Sequence, residues 1–129
     1  MSSIDDLKNN IKVVPSILPQ AATGDVTGSA VDTKGFFSAT LEFTATTALV
    51  GGTVKLTECA TSGGTYTDVA SDDIIGTNDV AAVEDDTVTI GYVGSLRYLK
   101  AVFTHSANGV ISGDVILASP QVAPTGANS

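Results

Sequence analysis

The stretch "GFFSATLEFTA", residues 35–45, decides how this chain folds. Phe37, Ala39, Leu41 and Phe43 alternate with Ser38, Thr40, Glu42 and Thr44. A period of two puts the apolar set on one side of an extended chain and the polar set on the other, which is the pattern of a half-buried β-strand. The next segment, "TTALVGGTVKLTECA" (46–60), carries a Gly-Gly turn at 51–52 and then a strand with Val54 and Leu56 facing in and Lys55 and Thr57 facing out. A second Gly-Gly turn at 63–64 leads into "TYTDVA", which should pair antiparallel with the strand before it. In "DTVTIGYV" (86–93), Val88, Ile90 and Tyr92 oppose Thr87, Thr89 and Gly91. An "ANG" turn at 107–109 precedes a further strand, "VISGDVILA" (110–118).

Between these lies "SLRYLKAVFTH" (95–105), which places Arg97, Leu99, Ala101, Phe103 and His105 on one face and Leu96, Tyr98, Lys100, Val102 and Thr104 on the other. Neither face is purely polar, so it reads as a central strand whose Arg97 and Lys100 lay their stems along apolar surface. The expected partners of both charges are the acids of residues 68–86, within the chain or across a subunit interface. That segment holds seven of the fourteen acidic residues and no base. It reads as a solvated loop with a short strand near Ile74 and Ile75.

The two ends differ from the middle. "IKVVPSILPQ" (11–20) is apolar but interrupted by Pro15 and Pro19, which remove backbone donors. It is therefore an edge strand or an extended arm, never a central strand throughout. Residues 1–10 form either a helical turn capped by Ser3 or a frayed arm. The tail "SPQVAPTGANS" (119–129), with Pro120 and Pro124, reads as extended. The expected organisation is an arm (1–20), one domain (21–118) and a tail (119–129). With Thr, Val and 13 glycines abundant and no helical pattern of any length, the fold class is all-β. The expected architecture is a single-domain antiparallel β-sandwich of about seven or eight strands, with a barrel or jelly roll as the alternative.

Composition excludes several functions. A net charge of −8 with only six Lys and Arg leaves nothing to neutralise a phosphate backbone, so neither nucleic acid nor an anionic membrane is an expected partner. No run approaches the roughly 20 apolar residues of a membrane span, and the acidic start lacks a secretory pattern. The chain reads as a soluble protein made in a cytoplasm. The lone Cys59 has no disulfide partner within the chain. The lone His105 sits beside a turn, and no nucleophile elbow, phosphate loop or dinucleotide fingerprint accompanies it, so no catalytic residue is assigned. Asp72 with Asp73, and Glu84 with Asp85 and Asp86, are the only carboxylate groups that invite Ca²⁺ or Mg²⁺. Neighbours on an extended chain point to opposite faces, however, so no metal or cofactor is assigned. With no Trp and 5% aromatics, the stacking platforms of a sugar cleft are missing as well.

Four segments in order, "DLKNNIKVVPSILP" (6–19), "GGTVKLTECATSGGTYTDVA" (51–70), "IGYVGSLRYLKAVFT" (90–104) and "SPQVAPTG" (119–126), resemble the small structural proteins of tailed bacteriophages and prophages. These are commonly encoded beside the major capsid protein. Within that group the chain is most similar to capsid decoration, or cement, proteins. The resemblance implies a non-enzymatic virion component on the outer surface of the head, partnered by the major capsid protein and by copies of itself, most often as a trimer. A tail-tube, head-completion or fibre-base protein is the first alternative and a sugar-binding or adhesion sandwich the second. On this reading the contacts come from the Pro-bearing ends: Ile11, Val13, Val14, Ile17 and Leu18 in the arm, and Pro120, Val122 and Pro124 in the tail. An extended arm of that kind engages a neighbour by strand addition.

Overall fold

In a computed structural model of the chain, which describes residues 11–46, 51–105 and 108–120, the alternating segments pair into two antiparallel sheets packed face to face. In chain order the strands are β1 (Ile11–Ala21), β2 (Val26–Thr27), β3 (Val31–Asp32), β4 (Phe36–Ala45), β5 (Thr53–Cys59), β6 (Thr67–Asp68), β7 (Ile74–Ile75), β8 (Val80–Ala81), β9 (Asp86–Tyr92), β10 (Tyr98–Thr104) and β11 (Val110–Pro120). One sheet runs β1-β11-β4-β9-β7. In the other, β10 and β5 pair centrally, β2 and β3 follow one another along the outer edge of β10, and β6 and β8 along that of β5. The protein is an all-β sandwich. Five of its strands have only two residues, too few for alternation to show in sequence.

The core fills from the expected faces. Ala39, Leu41, Phe43 and Ala45 of β4, with Ile90 and Tyr92 of β9 and Val115 and Leu117 of β11, meet Val54 and Leu56 of β5 and Leu99, Ala101 and Phe103 of β10. The Phe43 and Phe103 rings stack across the sheets with centroids 5.2 Å apart, a contact worth about 0.5–1.5 kcal/mol beyond its buried area. β10 is a central strand as predicted, with Tyr98, Lys100 and Val102 half-buried outside. Arg97 and His105 lie just beyond its ends.

The apolar segment 11–20 resolves as an edge strand. Its main chain pairs with β11 from Ile11 opposite Ala118 to Ala21 opposite Val110. The ladder slips twice, between Pro15 and Ile17 and between Ile17 and Gln20. Each slip coincides with a proline, because a residue without an N–H is accommodated where the ladder is already broken. The first slip turns two consecutive side chains, Ser16 and Ile17, inward. At the other end the strand continues past the expected boundary at 118, with Pro120 opposite Phe36. Ser119 and Pro120 thus belong to the sheet, two positions past the last β1 pairing. Val122 and Pro124 lie outside the described residues, as do residues 1–10.

Both edges of the six-stranded sheet are closed by a side chain. Between β2 and β3 the edge of β10 would expose the N–H of Ala101; instead it donates to Ser16 Oγ at 3.1 Å, and that hydroxyl donates to the Ser29 carbonyl at 2.9 Å. Between β6 and β8 the edge of β5 is met by the Asn78 amide, whose Oδ1 accepts the Leu56 N–H at 2.8 Å. Its Nδ2 donates to the carbonyls of Leu56 and Val69 at 3.1 and 3.2 Å. Each side chain supplies the hydrogen bonds of a missing strand residue.

Candidate functional site

The outer face of the five-stranded sheet is a grid whose rows follow from the registers. Val13 stands beside Ile116, Ile116 beside Thr40, Thr40 beside Gly91, and Gly91 beside Ile75. Ile116, Thr40, Gly91 and Ile75 each have a buried sequence neighbour, and Val13 adjoins half-buried Val14, which stands opposite buried Val115, so this row points away from the core and crosses every strand. Val13 is 53% exposed and Ile75 65%. The row on one side joins Ile11, Ala118 and Ser38, extending the apolar character towards that end of the sandwich. The row on the other side joins Pro15, Asp114, Glu42 and Thr89. Beyond it Thr44 and Thr87 share a hydroxyl–hydroxyl bond of 3.0 Å. The face therefore grades from apolar, through a pair of carboxylates, to uncharged polar.

The residues expected to make contacts from the arm are divided by this geometry. Ile11 and Val13 contribute to the outer face, Ile17 is buried in the core, Val14 is half-buried and opposite the inward-facing Val115, and Leu18 is 63% exposed next to the second slip. Residues 11–21 are not a free arm: β11 has taken one edge of their main chain. The other edge carries Pro15, Pro19 and two ladder slips, all of which obstruct strand addition. Ile75 escaped sequence reading because a two-residue strand shows no face until its register with Gly91 is known.

Lys55, Arg97 and Lys100 lie on or beside the other sheet, and the partners of Arg97 and Lys100 differ from the sequence expectation. Arg97 grips Asp32 with two bonds, Nε to Oδ1 at 2.8 Å and a terminal nitrogen to Oδ2 at 2.7 Å, and its guanidinium lies 5.0 Å from the Tyr98 ring centre. Asp32 is outside the acidic segment. The pairing arises because β3 aligns Asp32 with Tyr98, bringing that carboxylate to the start of β10. The Arg97 bond holds the Asp32 carboxyl down to about 2. Lys100 places its ammonium 4.3 Å from the centre of the Tyr66 ring, a cation–π contact in place of an ion pair. The lysine that does reach residues 68–86 is Lys55, 3.0 Å from Asp68.

The other titratable groups serve the fold. Tyr92 spans the sandwich, its hydroxyl donating to Glu58 Oε1 at 2.8 Å and accepting the Leu96 N–H at 3.0 Å. Burial, reinforced by the Glu58 bond, pushes its phenol well above the usual range. His105 is held in a turn: its backbone N–H donates to Asp25 Oδ1 at 2.8 Å, and its Nε2 donates to the Asn108 carbonyl at 3.0 Å. Cys59 is a buried free thiol. Among the described residues, no three His, Cys, Asp or Glu side chains converge as metal ligands would. An open hollow of about 460 Å³ lies beside Lys55, Ser71, Thr77 and Asn78, but Lys55 is already held by Asp68 and the Asn78 amide by Leu56 and Val69. Among the described residues no further layer packs on the outer face of the five-stranded sheet, and no ion pair or cation–π contact crosses it. No family model, no curated protein and no solved structure matches this chain.

Proposed function

We propose that the chain is a non-enzymatic structural protein of a tailed-phage virion that binds the outer surface of the capsid and stabilises contacts between major capsid protein subunits. The ordered resemblance of residues 6–19, 51–70, 90–104 and 119–126 supplies the family. The observation that carries the reading is the row from Val13 to Ile75, which crosses all five strands, with Val13, Ile116 and Ile75 as its apolar side chains and Val13 and Ile75 exposed at its ends. A flat, exposed apolar surface on a well-packed sandwich suits protein docking better than small-molecule chemistry.

The size of that face bears on oligomeric state. Five strands of two to eleven residues, roughly 4.8 Å apart and rising about 3.3 Å per residue, cover roughly 650 Å² of sheet. This is smaller than the roughly 800 Å² per partner of a standard stable interface. One copy binds weakly through it alone, whereas a homo-oligomer engaging several capsid subunits at once gains avidity without new contacts. A trimer at a junction of three subunits fits that requirement. The test is to add the purified protein to capsid shells assembled without it and image them. Density at every subunit junction is the expected result; density only at the portal vertex, or none, rejects the proposal.

A further inference from the structure

Asp114 of β11 and Glu42 of β4 are directly opposite one another on the outer face, one row from the apolar strip. Like charges in register across neighbouring strands oppose the pairing that brings them together. Among the described residues neither carboxylate has an ion pair or hydrogen bond, and the positions flanking them in the row, Pro15 and Thr89, are uncharged. Among the described residues the sheet thus carries an uncompensated negative pair beside a row that ends in exposed Val13 and Ile75.

We propose that this face docks a protein surface of complementary character, an apolar strip bordered by Lys or Arg, and that the surface belongs to a different chain. A second copy meeting this face about a two-fold axis parallel to the strands would set carboxylates against carboxylates, and about an axis along the Val13–Ile75 row it would set them against the uncharged row of Ile11, Ala118 and Ser38. Among the described residues, the cations a second copy could offer are Lys55, held by Asp68, Arg97, held by Asp32, Lys100, placed over the Tyr66 ring, and Lys12 and Lys34, neither of which stands in the rows of this face. The face therefore selects against itself and for a basic partner, leaving self-association to other surfaces. Taking that partner to be the capsid rests on the function proposed above; the face and its required chemistry do not.

The test uses the full-length chain and capsid shells lacking it. Glu42→Gln with Asp114→Asn keeps shape and removes charge, and Asp72→Asn with Glu84→Gln removes the same charge from exposed loop positions. The first pair should bind shells roughly tenfold more weakly than wild type at low salt and lose most of the salt dependence, while the second stays close to wild type. The first pair should also melt no lower than wild type, since a repulsion has been removed, which separates lost docking from lost structure. Unchanged affinity and salt response in the first pair overturn the inference while leaving capsid binding intact; wild type failing to bind shells overturns both. Independently of those variants, a photo-crosslinking residue at Thr40 should capture Lys- or Arg-bearing capsid peptides, and one at Val102 on the opposite sheet should not. Capture from Val102 alone refutes the assignment of the face.

Discussion

Replacing Ser16 by alanine tests the claim that a single hydroxyl closes one edge of the six-stranded sheet. Ser16 is 3% exposed and its oxygen is the acceptor for the Ala101 N–H, on a residue with no exposure at all. Ser16→Ala leaves that amide without a partner in a dry environment, at a cost of about 1–3 kcal/mol. The other bond, to the carbonyl of Ser29, is less costly to lose because Ser29 is exposed and water can replace the donor. The Ser29 N–H keeps its bond to the Ser16 carbonyl at 2.7 Å, so the backbone crossing survives. The expected loss is about 2 kcal/mol, a sizeable part of the roughly 5–15 kcal/mol that holds a domain together. Urea unfolding followed by far-ultraviolet circular dichroism measures it, and hydrogen exchange should show the Ala101 amide losing protection more than its neighbours on β10. Gly28→Ala supplies a geometric control. A Cβ there would stand 2.3 Å from Ser16 Oγ but also 2.8 and 2.9 Å from the Ser16 carbonyl oxygen and carbon. Removing the hydroxyl leaves those backbone clashes in place, so Ser16→Ala should not rescue Gly28→Ala. A Ser16→Ala protein within about 0.5 kcal/mol of wild type, with Ala101 exchange unchanged, would refute the plug.

Two further outcomes follow from the polar contacts. Asn78→Asp keeps the acceptor for the Leu56 N–H but turns the donor towards two carbonyls into a carboxylate oxygen, so at pH 7 it should destabilise by about 3 kcal/mol and exceed Asn78→Ala. Because burial raises the introduced carboxyl's pKa above its unfolded value of about 4, the deficit relative to wild type should shrink as pH falls from 7 towards about 4; a deficit equal at pH 7 and pH 4 in urea titrations refutes this. Arg97→Met should lower the melting temperature modestly at pH 7, since both Arg97 and Asp32 are more than two-fifths exposed and the pair is screened by solvent. Asp32 has its folded pKa depressed from 3.8 to about 2, so its contribution is present above about pH 4 and is lost as pH falls towards 2. The gap between Arg97→Met and wild type should therefore close over that window in calorimetry, and a constant gap would assign the effect to packing on Tyr98.

Long-range alternation carried most of the architecture into the sequence, and its failures have specific causes. Phe37 shares the parity of Ala39 and Leu41 yet is 71% exposed. The β9 ladder begins only at Ala39, so Phe37 lies beyond the overlap of the neighbouring strands. Period two tells which way a side chain points but not whether anything covers it. Ser16 and Ile17 break the alternation by both turning inward, and the signal available for that was the proline on either side. Asp32 could not be matched to Arg97, 65 positions away, because β3 is two residues long and any of fourteen acids satisfies a sequence-level charge argument. The same holds for the docking face: each of its strands was readable alone, β7 by its position though not by its face, but that Val13, Ile116 and Ile75 form one row, and that Asp114 meets Glu42, depends on registers that no local pattern specifies.

A β-sandwich can engage another protein through a strand edge or through a sheet face, and the residues of this chain separate the two routes. At β1 the free edge carries Pro15, Pro19 and two ladder slips, and Lys12, opposite the inward-facing Leu117, puts a charge on the core-side parity of the edge. These are the devices by which sheets avoid adding a foreign strand. The six-stranded sheet presents only two-residue strands at its borders, with the gaps between them filled by Ser16 and Asn78. At β7 the remaining edge is two residues long. Edge pairing is promiscuous because main-chain groups are the same in every protein, whereas a face is recognised through its side chains. On the function proposed above, many copies on one particle would face one another's edges at high local concentration, and obstructed edges beside an open, charge-bordered face would let such a sandwich bind a chosen partner without polymerising.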